Sequence, residues 1–343
     1  MIPSFKKKER KILTGENIHK WIQKITCQIS LFVDFKCHNR AIIVNNYDWF
    51  KKINIINFLR NIGKCFSINT MINKSSVKKR INRTEKGISF TEFSYSLLQA
   101  YDFLLLYKKY NAILQIGGSD QWGNIISGIN LVDKLYHKNV YGLTTPLLTT
   151  CNGSKFGKTE IGTIWLDSKK TSPFNFYQYW INIPDTEVFH YLKMFTSFSL
   201  KEIHNMQLNN KKSENFSNFR KMLADYITLI IHGKEGLSSA QRITNYLFTD
   251  NIQHITLSDI QQLIKDGVKS IQLKHENSLQ NILVLSSLAT SKNNAKTMIC
   301  SKAIRINKKI QTNWKYQLTY NDKLFTRYTL LSRGKKNHCL ICW

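Results

Sequence analysis

The stretch ISFTEFSYSLLQAYDFLLLY, residues 88–107, constrains the fold more than any other. Ser89 with Glu92 three positions later has capping-box spacing and predicts a helix start. Phe93, Leu97, Leu98, Tyr101, Leu104 and Leu105 then spread apolar side chains around most of the helix. A helix apolar over so wide an arc is covered on several sides. One polar line interrupts it: Tyr95, Gln99 and Asp102, at i, i+4 and i+7, share a face. If that face meets water, the helix is ordinary and amphipathic. If it is buried, a phenol, an amide and a carboxylate line an internal cavity, and such groups are costly to bury without hydrogen-bond partners. A small polar ligand bearing an amine and a hydroxyl would supply them.

The next segment, YNAILQIGGSDQWGNI (110–125), predicts a short apolar strand that ends in a glycine turn where backbone can approach a ligand closely. Asp120 and Gln121 lie just beyond the turn, where the C-terminal edge of a parallel sheet presents its site. A carboxylate there commonly holds a ribose hydroxyl pair.

NGSKFGKT (152–159) ends like a Walker A loop, but the glycine that pattern requires is replaced by Asn152. What remains is Lys155 and Lys158, three apart on a loop loosened by Gly153 and Gly157. Two ammonium groups on a pliable loop close over a polyphosphate as point charges; a solvated basic turn is the alternative.

Residues 1 to about 165 alternate helical and strand-like patterns, an α/β signature, with helical spacing over 47–66 and a strand region over 140–150. From about 170 to 270 the helical period dominates, opened by the Ser172-Pro173 cap pair. After about 275 two short helices give way to strands around 303–307, 316–320 and 328–333. With 50 Lys and Arg against 22 Asp and Glu, the formal charge is +28, which points to a polyanion such as nucleic acid, although a lysine-rich composition alone would also raise it. Placement says more: residues 276–343 carry 12 Lys and Arg against only Glu276 and Asp322. Lys292, Lys296, Lys302, Arg305, Arg333, Lys335 and Lys336 are the candidate RNA contacts there. The seven cysteines are scattered and no secretory signal opens the chain, so a reducing, cytoplasmic setting is expected. No metal site is expected: Cys339 and Cys342 lack a second ligand pair and fit a terminal strand. No run of apolar residues is long enough to span a membrane.

SYSLLQAYDF, LQIGGSDQWGNI, GLTTPLLT, NGSKFGKTE, TSPFNFYQYWIN and SRGKKNHCLICW together resemble bacterial-type tyrosyl-tRNA synthetases over essentially the whole chain. The loop at 155–159 resembles the lysine loop of class I synthetases. The resemblance implies a Rossmann-like class I catalytic domain over 1–165, a helical anticodon-side domain over 166–272 and a small α+β RNA-binding domain over 273–343. It implies a cytoplasmic homodimer that joins L-tyrosine to its tRNA, with ATP as substrate and Mg2+ accompanying it. By the same resemblance, Tyr95 and Gln99 hold the tyrosine amine and Asp102 accepts from the phenol. Gln115 and Gln121 position tyrosine and adenylate, Gly118 and Asp120 contact the ribose, and Lys155, Lys158 and Thr159 cover the pyrophosphate. One departure stands out. The class signature His-x-Gly-His is absent, and MIPSFKKKER stands where the family usually reads Gly-Asp-Pro-Ser, with Ile2 in place of an amine-contacting aspartate. A true start upstream of Met1 is the expectation; an activation-deficient, RNA-binding remnant is the alternative.

Overall fold

A computed structural model of the protein describes residues 14–74, 77–78, 81, 88–149, 156, 158–159, 162–210, 215–249, 255–273, 275–334 and 337–343. The chain forms two compact units that divide after Thr149.

In the first unit the long helix runs Phe90–Tyr110, capped by Ser89, whose Oγ accepts from the Glu92 N–H. Asn111 ends it in the left-handed conformation. Leu114–Gly118 follows as a strand, then the Trp122–Tyr136 helix, then the strand Tyr141–Thr145. The two strands pair in parallel, Leu114 opposite Tyr141 through Gly118 opposite Thr145. The crossover helix packs on the long helix at Gly128, where a β-carbon would lie 2.8 Å from the Phe103 ring. It packs on the second strand at Gly142, where a β-carbon would lie 2.5 Å from Ile125. Phe103, Leu104, Leu131, Val132 and Val140 form the core around these approaches.

The helical spacing over 47–66 does not become one helix. It breaks into Tyr47–Phe50, Ile55–Asn61 and a 3-10 turn at Gly63–Cys65. The cause is Asn54, whose side-chain oxygen accepts from the N–H groups of Ile56 and Asn57 and starts a new helix there.

The second unit begins with helices. Ser172 caps Pro173–Ile181 by accepting from Asn175 N–H, and its hydroxyl donates to Asp266 at 2.6 Å. That helix packs against Ser217–Phe248, which bends at Gly233 with φ of 70°, a backbone that favours glycine. A five-stranded sheet follows in the order Ser270–Gln272, Asn337–Cys342, Tyr328–Arg333, Ile304–Ile306, Lys309–Ile310. The helices Leu279–Leu285 and Lys292–Cys300 cover it. Cys339 is buried in the terminal strand, and burial pushes its thiol up to about 11. Leu330 and Leu340 of the sheet share a core with Phe174, Ile243, Tyr246 and Leu263, so helices and sheet pack together in this unit.

Asp259 secures the Leu257–Lys265 helix. It closes a capping box with Thr256 and accepts from Arg242 Nε at 2.9 Å and Ser239 Oγ at 2.6 Å. Burial alone would raise its pKa, but the bonds from Arg242, Ser239 and Thr256 outweigh it and hold the carboxyl below its ordinary value. Its contribution is therefore complete above about pH 4, the unfolded value, and is lost as pH falls through the lowered folded value. Asp259→Ala should cost about 3 kcal/mol, read as a lower midpoint in guanidinium unfolding at pH 7.

Candidate active site

The polar line of the long helix is half-buried and lines a cavity of about 740 Å³ in the first unit. Tyr95, Gln99 and Asp102 open into it, joined by Gln115 from the first strand and Gln121 from the turn beyond. Gln115 is half-buried between exposed Leu114 and Ile116. Among the candidate tyrosine-binding residues, the structure thus brings all five to one cavity.

Two side chains that the sequence reading passed over complete the polar wall. Trp49 donates its indole N–H to Asp102 Oδ1 at 2.8 Å, and Asn46 donates its amide to Oδ2 at 3.2 Å. Trp49 lies at the start of the 47–66 segment, and Asn46 immediately precedes it. The signal available was chemical: a buried indole needs an acceptor, and a buried carboxylate needs donors. Burial raises the pKa of Asp102, and the two donors oppose that rise without cancelling it. Burial and the nearby Asp102 charge raise that of the Tyr95 phenol.

The amide oxygens of Gln99 and Gln115 are buried without a hydrogen-bond partner among the described residues. Each unpaired buried acceptor costs about 1–3 kcal/mol. A cavity lined by glutamine side chains, a phenol and a carboxylate braced by two donors suits a ligand with both an ammonium and a hydroxyl. The lining also includes apolar side chains: Ile18, Ile22, Ile25 and Ile29 of the Gly15–Ile29 helix, and Ile116.

Gly118 and Asp120 sit at the strand end and are not part of the cavity wall. Gly118 has ordinary extended backbone (φ −71°, ψ 162°), which other residues also adopt. A β-carbon at 118 would stand 2.7 Å from Asp120 Oδ1. Asp120 itself is exposed and accepts from Gln121 Nε2 at 2.9 Å.

Of the lysine loop, Lys155 lies outside the described residues, as does Ile2. Lys158 and Thr159 form a two-residue strand paired with Gly162–Thr163; their side chains lie outside the description. Phe156, between the lysines, is described. Its ring lies 5.2 Å from Tyr191, 5.5 Å from Phe195 and 5.7 Å from Trp180. Phe156 thus sits in an aromatic cluster whose members no local sequence pattern links to it.

In the basic C-terminal part, Lys292 and Lys296 are exposed one turn apart on the Lys292–Cys300 helix. Lys302 is exposed in the following turn, with φ of 62°. Arg305 is half-buried in the sheet, and Arg333 spends one guanidinium N–H on the Leu288 carbonyl at 2.7 Å. Lys335 and Lys336 lie outside the described residues.

A family model for class I tRNA synthetases (W and Y) matches residues 1–249. A model of the C-terminal domain of SYY-like tyrosine–tRNA ligases matches residues 259–341. The chain belongs to the tyrosyl-tRNA synthetase family. The tyrosine–tRNA ligase of Buchnera aphidicola subsp. Acyrthosiphon pisum (strain APS) is 54% identical over 343 residues, covering 99% of this chain and 81% of that protein. The tyrosine–tRNA ligase of Yersinia pestis (strain Pestoides F) is 52% identical over 342 residues, again 99% and 81%. Among solved structures, a C-terminally truncated mitochondrial tyrosyl-tRNA synthetase of Aspergillus nidulans superposes with a TM-score of 0.55 at 30% identity, over 70% of this chain and 71% of that one. The fold is that of class I synthetases with an added C-terminal domain, as the sequence implied.

Because the pKa of Asp102 is raised, its ionised form is lost earlier on acidification than that of an ordinary carboxylate. Tyrosine affinity should therefore fall as pH drops from 7 towards 4, and phenylalanine affinity should not follow it. Calorimetric titration of both amino acids across that range measures the difference; Asp102→Asn should flatten it.

Proposed function

We propose that this protein is a tyrosine–tRNA ligase, which activates L-tyrosine with ATP to tyrosyl-adenylate and passes the tyrosyl group to its tRNA. The observation that carries the reading is the cavity where Tyr95, Gln99, Asp102, Gln115 and Gln121 meet, with a carboxylate braced by Trp49 and Asn46. In this reading Gln99, Tyr95 and Gln115 take the ammonium and Asp102 accepts from the phenol hydroxyl. Phenylalanine would leave that carboxylate's hydrogen-bonding unanswered; discrimination of this kind is illustrated in tyrosyl-tRNA synthetase itself. Gln121 meets the adenylate beyond the strand end, and Gly118 and Asp120 contact its ribose.

Activation needs the tyrosine carboxylate in line with the ATP α-phosphorus while the bond to pyrophosphate breaks. Lys155, Lys158 and Thr159 supply positive charge and donors to the leaving pyrophosphate, an effect exerted mainly in the transition state. Mg2+ would travel with the triphosphate. We divide the chain into a catalytic domain over 1–165, a helical anticodon-side domain over 166–272 and an RNA-binding domain over 273–343. Support comes from the helices that fill Pro173–Lys265 and the sheet that begins at Ser270. Lys292, Lys296, Lys302, Arg305, Arg333, Lys335 and Lys336 are the RNA contacts of this reading. A cytoplasmic homodimer completes it. The dimer is supported by apolar side chains left exposed in the first unit, Phe90 foremost at 78%. Among the described residues no helix is long and apolar enough to cross a membrane.

A second reading, an RNA-binding member that does not activate tyrosine, is favoured by one observation: none of the nine histidines stands in a His-x-Gly-His arrangement. Charging of a tyrosine tRNA transcript with labelled amino acids decides between them. The ligase should charge tyrosine and reject phenylalanine. Tight tRNA binding with no charging would instead establish the second reading. In the ligase, Lys158→Ala should slow adenylate formation at least tenfold in a single-turnover assay and change tyrosine affinity less than twofold. A rise in the tyrosine dissociation constant with the rate intact would remove Lys158 from the transition state.

A further inference from the structure

The C-terminal part carries aromatic rings under lysines on one short segment. Tyr320 and Trp343 stand 5.2 Å apart between ring centroids, tilted by 43°. Lys323 Nζ lies 3.8 Å from the centre of Tyr320 and 4.8 Å from that of Trp343. Six residues before Tyr320, Trp314 lies beneath Lys296 at 4.4 Å and Lys315 at 5.2 Å. Trp314 and Trp343 also rest on the core of this part, which fixes their rings. Tyr320 keeps 53% of its surface exposed.

The charges around these rings are not neutralised locally. Among the described residues none of the three lysines is paired with a carboxylate. The segment's own carboxylate, Asp322, is occupied by the Tyr316 hydroxyl at 2.8 Å and the Thr319 N–H at 2.9 Å. Glu276 faces the Tyr320 N–H at 3.4 Å. Aromatic rings capped by ammonium groups that no carboxylate neutralises suit unpaired nucleotides: the lysine swings off the ring to a phosphate and the base stacks in its place. A base-paired duplex cannot use the rings, because its bases are already stacked. An extended span of six residues reaches at most about 20 Å, so the two platforms fall within a few nucleotides of one strand.

We propose that residues 314–323 with Trp343 form a stacking edge for unpaired RNA bases, with Tyr320 and Trp314 as platforms and Lys323, Lys296 and Lys315 as phosphate contacts. The proposal rests on the RNA-binding reading of this part and adds the class of RNA it takes: looped or single-stranded rather than paired. A stacked base contributes the same at every salt concentration, whereas a phosphate contact adds to the salt slope. The two roles therefore separate in one experiment.

The full chain is titrated by filter binding, across a salt series, with a tyrosine tRNA transcript and with a blunt 16-base-pair RNA duplex. Tyr320→Leu should weaken tRNA binding about tenfold at every salt concentration, leave the slope unchanged and leave duplex affinity unchanged. Tyr320→Phe should restore tRNA binding. Lys323→Gln should lower the log–log slope by roughly 0.7 to 0.9, one phosphate contact. Tyr320→Leu binding tRNA like the parent, or losing duplex affinity equally, overturns the stacking edge while the RNA-binding reading survives. A parent chain that binds neither RNA overturns that reading and this proposal together.

Discussion

Two hydrogen bonds, from Trp49 and Asn46 to Asp102, hold the candidate site together. A half-buried carboxylate with no donors would protonate or draw in water, and in either state it would recognise a hydroxyl poorly. The indole and the amide keep acceptor character on Asp102 and tie the Tyr47–Phe50 turn to the long helix. Phe50 and Phe58 add apolar contact around the neighbouring Tyr101 ring, at 5.7 and 5.5 Å. The carboxylate is thus fixed from two directions, by polar groups within the cavity and by aromatic packing beside it.

The rest of the first unit serves to place that helix. The crossover helix lies close against it because Gly128 gives Phe103 room, and close against the second strand because Gly142 gives Ile125 room. Any side chain at either glycine would push a packed element away, and interiors at native density do not yield cheaply. The first strand then delivers Gln115 to the cavity and Gly118 with Asp120 to its end. In the second unit the same economy of contact joins helices to sheet. Leu330 and Leu340 enter the helical core, and Lys308 donates to the Leu247 carbonyl at the end of the Ser217–Phe248 helix, where a cation is favoured.

Local chemistry made the long helix legible in the residues alone. Ser89 could only be a cap, and an arc of six apolar side chains could only be covered, so Tyr95, Gln99 and Asp102 were readable as one line. The same holds for Ser172-Pro173 and for the strand at 114–118. The segment 47–66 misled because period alone cannot register a side-chain cap, and Asn54 restarts the helix. The Phe156 cluster was not readable for another reason: its partners Tyr191 and Phe195 lie 35 and 39 positions away, and no local pattern links them.

The sequence by itself determined which groups are present and in what order along each element: the polar line, the glycine-ended strand, the paired lysines and the basic end. Those follow from helix and strand periods, which act over a few residues. Only the tertiary structure decided that Gln115 joins the line on the long helix, that Trp49 and Asn46 brace Asp102, and that the amide oxygens of Gln99 and Gln115 are buried without a partner among the described residues. These depend on which distant segments exclude water from one another, and burial is a property of the assembled chain that no short stretch of residues possesses.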